Sequence, residues 1–184
     1  MLLRHSHYIG LLRTLATTHK KIQHTEALPR FVRIVVSQDP TMRQVDMHEL
    51  ISKITGRPSK SRIPVGSQVL VAESLVTDYL DNGGDNRQRV RFGAFLVLVQ
   101  VPSATDHDAI EQALDATEQT AEELMGAIEH ALQGQVKVRI TPGSLGGESI
   151  GPLGDGTWYG TRLDFQFTTP ASAALTYNPD AFTA

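Results

Sequence analysis

The sequence predicts a single α+β domain with a mainly antiparallel sheet and helices packed on one face. Three observations lead there. Residues 87–132 hold a long strand followed by a long one-sided helix. The strand half from Ala94 to Val99 is apolar on both faces, as in a strand whose sheet is covered on both sides. Strand-like runs then cluster on either side of that helix, and such clustering favours α+β over a parallel design.

The central strand alternates. Val90, Phe92, Ala94, Leu96 and Leu98 share one face; Arg89, Arg91, Phe95, Val97 and Val99 share the other. Pro102 stops it, since proline cannot donate to a ladder. Thr105 and Asp108 read as a capping pair opening the helix. Ile110, Leu114, Ala121, Leu124, Ile128 and Leu132 recur at helical spacing and form its apolar face. Glu111, Asp115, Glu118 and Glu122 line another face, with Glu123 beside them, and Gly134 is placed to end the helix.

Taken from the start, residues 2–18 read as a helix with Leu3, Tyr8, Leu11, Leu12 and Leu15 on one side. A polar loop follows, and Phe31 to Val36 reads as a strand stopped by Asp39-Pro40. Met47, Leu50, Ile51 and Ile54 fit a short helix inside a long loop insertion, residues 39–65. Gln68 to Tyr79 reads as one strand with Val69, Val71 and Leu75 on one face. The run Asp81-Asn82-Gly83-Gly84-Asp85-Asn86 is a dense turn signal between two strands, hence a hairpin. Beyond the long helix, Gln135 to Thr141 alternates as a half-exposed strand. Pro142 to Gly156 is rich in glycine and reads as irregular strands and turns. Trp158 to Thr168 is the last strand. Its Tyr159, Leu163, Phe165 and Phe167 face one way, and Trp158, Arg162, Asp164 and Gln166 the other. Residues 1–169 form the core domain on this reading, and 170–184 an extended tail.

The bulk numbers narrow the function classes. With 184 residues there is room for one real core. A net charge of −3 gives no electrostatic case for general nucleic-acid binding. The absence of cysteine excludes disulfides and cysteine-based zinc sites, and fits a reducing compartment. No apolar run reaches the roughly 18 residues needed to span a bilayer, so no membrane partner is expected.

No motif carries strong chemistry. Gly147-Glu148-Ser149-Ile150-Gly151 matches G-x-S-x-G, but no helix follows it and no histidine lies beyond His130, so Ser149 reads as a turn residue. The glycines from Gly143 to Gly156 lack the Gly-Lys-Ser/Thr ending of a phosphate loop. The seven histidines include no H-E-x-x-H and no i, i+4 pair, so no metal ligand set is expected. The Asp81–Asn86 turn lacks the calcium-loop pattern. No cofactor, metal or catalytic residue is therefore assigned. Arg57, Lys60 and Arg62 sit in a proline-flanked loop and offer local phosphate or DNA contact.

Three stretches taken together resemble small structural proteins of tailed phages and related contractile injection systems. They are the strand Phe92-Gly93-Ala94-Phe95-Leu96-Val97-Leu98, the helix from Ala109, and Gly156 to Phe165 with the tail Leu175-Thr176-Tyr177-Asn178-Pro179-Asp180. The closest type is the tail-terminator or tail-completion protein, which forms a ring capping the tail tube. The resemblance spans about residues 2–168 and is one of pattern. It implies a non-enzymatic, usually hexameric ring of identical subunits. It further implies the tail tube and neck or connector proteins as partners, non-specific contact with passing DNA, and a place in the virion after synthesis in the host cytoplasm. A ring needs two different complementary surfaces on each subunit. The sequence offers acidic Glu111, Asp115, Glu118 and Glu122 against basic Arg30, Arg33, Arg87, Arg89 and Arg91, with Tyr177 and Phe182 as tail anchors. Two alternatives stand beside this. One is a small-ligand or nucleic-acid binding module using the basic loop and glycine turns; the other is an enzyme using the helix carboxylates as acid and base.

Overall fold

A computed structural model describes residues 4–35, 40–56, 63–81, 83, 87–133, 138–172 and 175–181. The chain forms α1 (His5–Thr18), β1 (Phe31–Ile34), α2 (Pro40–Thr55), β2 (Gln68–Glu73), β3 (Val76–Leu80) and β4 (Gln88–Gln100). It continues with α3 (His107–Gln133), β5 (Arg139–Ile140), β6 (Gly146–Leu153) and β7 (Trp158–Pro170). The strands make one seven-stranded sheet in the order β1-β2-β4-β7-β5. Strand β3 also pairs with β4, and β6 also pairs with β7. Only β1 and β2 run parallel; the other pairings are antiparallel. The fold is a single α+β domain with a mainly antiparallel sheet.

Strands β4 and β7 are the spine, paired in register from Gln88↔Pro170 to Gln100↔Trp158. Their alternation sorts the core into two layers. On one face Leu70, Ala72, Phe95, Val97, Leu163, Phe165 and Phe167 meet α1 and α3. Helix α3 buries Ala121, Leu124, Met125, Ile128 and Leu132 there, close to the expected stripe; Ile110 and Leu114 lie toward the free end and are only half buried. Phe165 lies flat on Gly93, where a Cβ would stand 2.9 Å from its Cζ, so a larger residue at position 93 would displace the ring.

On the other face Val69, Val71, Leu96, Leu98 and Trp158 meet Leu50, Ile51 and Ile54 of α2, with Ile63. Helices α1 and α3 thus share one face, and α2 covers part of the opposite one. The doubly apolar half of β4 required such cover, and α2 supplies it. The short helix read inside the loop insertion 39–65 is present and longer than expected, 16 residues from Pro40 to Thr55. Pro40 is its first residue, where a missing N–H costs nothing and φ is already set.

Three further local readings change. The cap of α3 is Asp106, whose Oδ1 accepts the Ala109 N–H at 3.0 Å, one residue beyond Thr105. The glycine-rich segment is a strand, β6, paired along β7 from Gly146↔Asp164 to Ile150↔Gly160. Residues 68–79 are two strands, because three residues, Glu73 to Leu75, lie opposite two, Gly93 and Ala94. That bulge reverses the facing of everything after it. Leu75 consequently packs with the α1–α3 layer, away from Val69 and Val71. The expected helix end at Gly134 lies outside the described residues, as do residues 135–137 of the strand expected over Gln135–Thr141, whose remainder contains β5.

Candidate functional site

The long helix α3 carries seven carboxylates and no lysine or arginine. Glu111, Asp115, Glu118 and Glu122 are all exposed, as their spacing predicts. They follow the flank turned toward β6. Glu122 and Glu129 line a groove there with Met125, Gly126, Leu163 and the β6 end Leu145–Gly147. Leu145 is 53% exposed beside them. The opposite flank of α3 is tied down instead. Glu123 Oε2 lies 2.9 Å from His19 Nε2, and Lys21 Nζ donates to Gln119 Oε1 at 2.9 Å.

The basic counterpart is at the other side of the sheet. Residues 4–35 hold six lysines and arginines against one carboxylate, Glu26. Arg4, Arg13, Lys20, Lys21 and Arg33 are exposed, and Arg30 is half buried with Nη1 donating to Ile22 O at 3.0 Å. Arg13 lies over the Phe31 ring at 5.5 Å, which fixes its charge above β1. Strand β1 ends the sheet, and its outer edge carries no strand among the described residues. The free side of β6 is equally open. Arg30 and Arg33 were expected as basic contacts from sequence. The larger contribution of α1 and the Lys20–Lys21 turn was not, although the charge count over residues 4–35 would have found it.

Arg87, Arg89 and Arg91 do not form the exposed basic face expected of them. Arg87 Nε is paired with Asp81 Oδ2 at 3.1 Å. Arg89 lies over the Tyr79 ring at 5.3 Å and is half buried. Arg91 is only 8% exposed. They follow the polar alternation of β4, but the depth of that face is set by the strands on both sides.

One buried ionic cluster ties the edge to the centre. Arg162 on β7 donates Nε and Nη2 to Glu73 on β2, at 2.7 and 3.3 Å. Its Nη1 reaches Asp164 at 3.0 Å and Glu148 of β6 at 3.5 Å. Burial works against the guanidinium charge; the Glu73 contacts outweigh it, and the Arg162 pKa is raised. Tyr8 of α1, 1% exposed, donates to Ala94 O at 2.8 Å beside the bulge. Burial first, then the Glu73 charge, push its phenol far above the ordinary value.

Ser149 sits in β6 opposite Thr161, in extended strand and not in the turn expected of it, and no helix follows. That is not the strand-to-helix turn a nucleophilic serine needs. Among the described residues no three His, Asp or Glu side chains gather at metal-binding distance, and no helix is long and apolar enough to cross a membrane. A second groove of about 680 Å³ lies between the end of α3 and β5, with Glu129 and Arg139 among its lining. In the tail, Leu175 is 41% and Tyr177 75% exposed. Phe182, and Arg57, Lys60 and Arg62, lie outside the described residues. Neither a scan of protein-family models nor a search of curated proteins finds a match to this chain.

Proposed function

We propose that the chain is a ring subunit of the tail-terminator or tail-completion type, capping the tube of a phage tail or contractile injection system or joining it to the neck. One observation carries the assembly part: the two opposite sides of the sheet are oppositely charged, and each ends in an open strand edge. Head-to-tail contact brings the α1–β1 side of one copy onto the α3–β6 side of the next. A two-fold dimer through either side would set like charges face to face, which is unfavourable. Unlike surfaces repeated head to tail close into rings or run into filaments. The phage-tail part of the proposal rests on the sequence resemblance.

The test is native mass spectrometry with negative-stain imaging at low and high salt. A closed assembly of one subunit number, near six, is expected at low salt. The double substitution Glu118→Lys with Glu122→Lys is expected to dissociate it, since both groups lie on the acidic flank and neither is buried. A monomer at every salt concentration and at micromolar protein overturns the ring. The ligand-binding alternative draws on the groove beside β5, whose size suits a small molecule.

A further inference from the structure

One corner of the sheet holds two arginines and a threonine whose polar groups are not all satisfied. Tyr79, Arg89 and Thr169 lie side by side across β3, β4 and β7. Arg91 follows on the same face of β4, between Thr77 and Phe167. The Nε atoms of both arginines and Oγ1 of Thr169 are buried without a hydrogen-bond partner. Arg91 is 8% exposed and Thr169 2%. Among the described residues neither arginine makes an ion pair. A buried guanidinium without a counter-charge is costly. Burial, with the Arg89 charge beside it, lowers the Arg91 pKa.

Such groups in a folded protein call for an explanation, and a bound ion is a common one. The chemistry selects its sign and shape. Guanidinium groups only donate, and the hydroxyl can donate as well as accept, so the corner is rich in donors and holds no anionic acceptor among the described residues. Two planar forks suit an anion that presents several oxygens. Tyr79, 52% exposed, lies under the Arg89 guanidinium on the β3 side of the corner. The depth of Arg91 favours a small ion over a side chain reaching in from another molecule.

We propose that Arg89, Arg91 and Thr169 form a binding site for a small free oxyanion of the phosphate class. The inference does not depend on the ring reading. The full chain is melted in chloride buffer with rising inorganic phosphate at constant ionic strength. The melting temperature should rise with the logarithm of phosphate above Kd, by on the order of 5 °C at a hundredfold excess over Kd. Arg91→Met should melt no lower than the parent without phosphate, because it removes an uncompensated buried charge, and should lose the phosphate response. Thr169→Val, a milder change, should keep the fold and weaken phosphate binding several-fold; it carries the test if Arg91→Met does not fold. A parent indifferent to phosphate overturns the proposal, as does an Arg91→Met or Thr169→Val protein that responds like the parent. Loss of oligomer on Arg91→Met with no phosphate effect on the parent also overturns it, and places a neighbour's carboxylate in the corner instead.

Discussion

Replacing Glu73 by Gln tests how the sheet holds its buried charge. Glu73 is 5% exposed and takes two hydrogen bonds from Arg162, whose side chain is 12% exposed. Removing one partner of a buried pair costs about 3–5 kcal/mol, mostly because the other charge stays behind. Here the residual charge keeps two carboxylates, Asp164 at 3.0 Å and Glu148 at 3.5 Å, with side chains 47% and 59% exposed. Glutamine also preserves one acceptor. The expected loss is therefore about 2–3 kcal/mol, below the full penalty. For a chain of this length that is a fall of about 5–10 °C in melting temperature. Guanidinium unfolding should show a lower midpoint with an unchanged slope. Asp164→Asn alone should cost under about 1 kcal/mol, as half-exposed pairs do. In the Glu73→Gln background it should cost more, because Asp164 then carries the compensation. A Glu73→Gln protein within about 0.5 kcal/mol of the parent, or strict additivity of the two changes, would refute this reasoning.

Three further outcomes follow from named contacts. Leu124, 1% exposed on α3, faces the aromatic layer of β7, so Leu124→Asp buries an unpaired charge and should prevent folding; unchanged melting would show the helix register to be wrong. The Thr157 hydroxyl, bonded to Asp155, is the main cause holding that carboxyl below its ordinary pKa. A depressed carboxyl stabilises the fold above its unfolded pKa of about 3.9 and loses that contribution as pH falls through the folded value. Thr157→Val should thus raise the Asp155 pKa and weaken acid sensitivity below about pH 4, read by NMR titration; an unmoved pKa sinks the assignment. Truncation after Ser172 should leave the protein folded within about 2 °C, because Ala171 N and Ser172 Oγ keep their bonds to the Arg87 backbone, and should abolish assembly if the tail anchors a neighbour. Unfolding on truncation would make the tail part of the core.

The parts legible in the sequence are those whose periodicity is strong and long. Strand β7 alternates along most of its length, β4 alternates and then runs apolar on both faces, and α3 repeats its apolar face over seven turns, so tertiary context had little to override. Strand β6 was not legible. Its glycines give it almost no side-chain pattern, and it is a strand because β7 offers it a ladder. The start of α2 was hidden by Pro40, which stops a strand and opens a helix with equal ease. For the site, the acidic stripe followed from helical spacing alone. Arg91 did not, because alternation assigns a face and says nothing of how deep that face lies.

The bulge at Glu73–Leu75 explains why that depth could not be read. Were residues 68–80 one unbroken strand of the same sequence, residues 75, 77 and 79 would continue on the α2 side with Val69 and Val71. With the bulge, Leu75 joins the α1–α3 layer, and Thr77 and Tyr79 stand beside Arg91 and Arg89. Glu73, the last residue before the reversal, stays on the α2 side and meets Arg162. The same interruption lies beside the Ala94 carbonyl that receives the Tyr8 hydroxyl. One inserted residue therefore puts Glu73 and Tyr79 on opposite faces: Glu73 in the compensated cluster around Arg162, and Tyr79 beside the Arg89–Arg91 corner. Had the same residues run as one regular strand, Tyr79 would lie on the far side from Arg89, and the corner would have lost that neighbour. Deleting Ser74 would leave every later residue opposite its present β4 partner, Tyr79 opposite Arg89 included, so a folded deletion variant should keep the parent's phosphate response. A folded deletion variant that loses that response would show that the corner needs the bulge itself and not only the pairing of Tyr79 with Arg89.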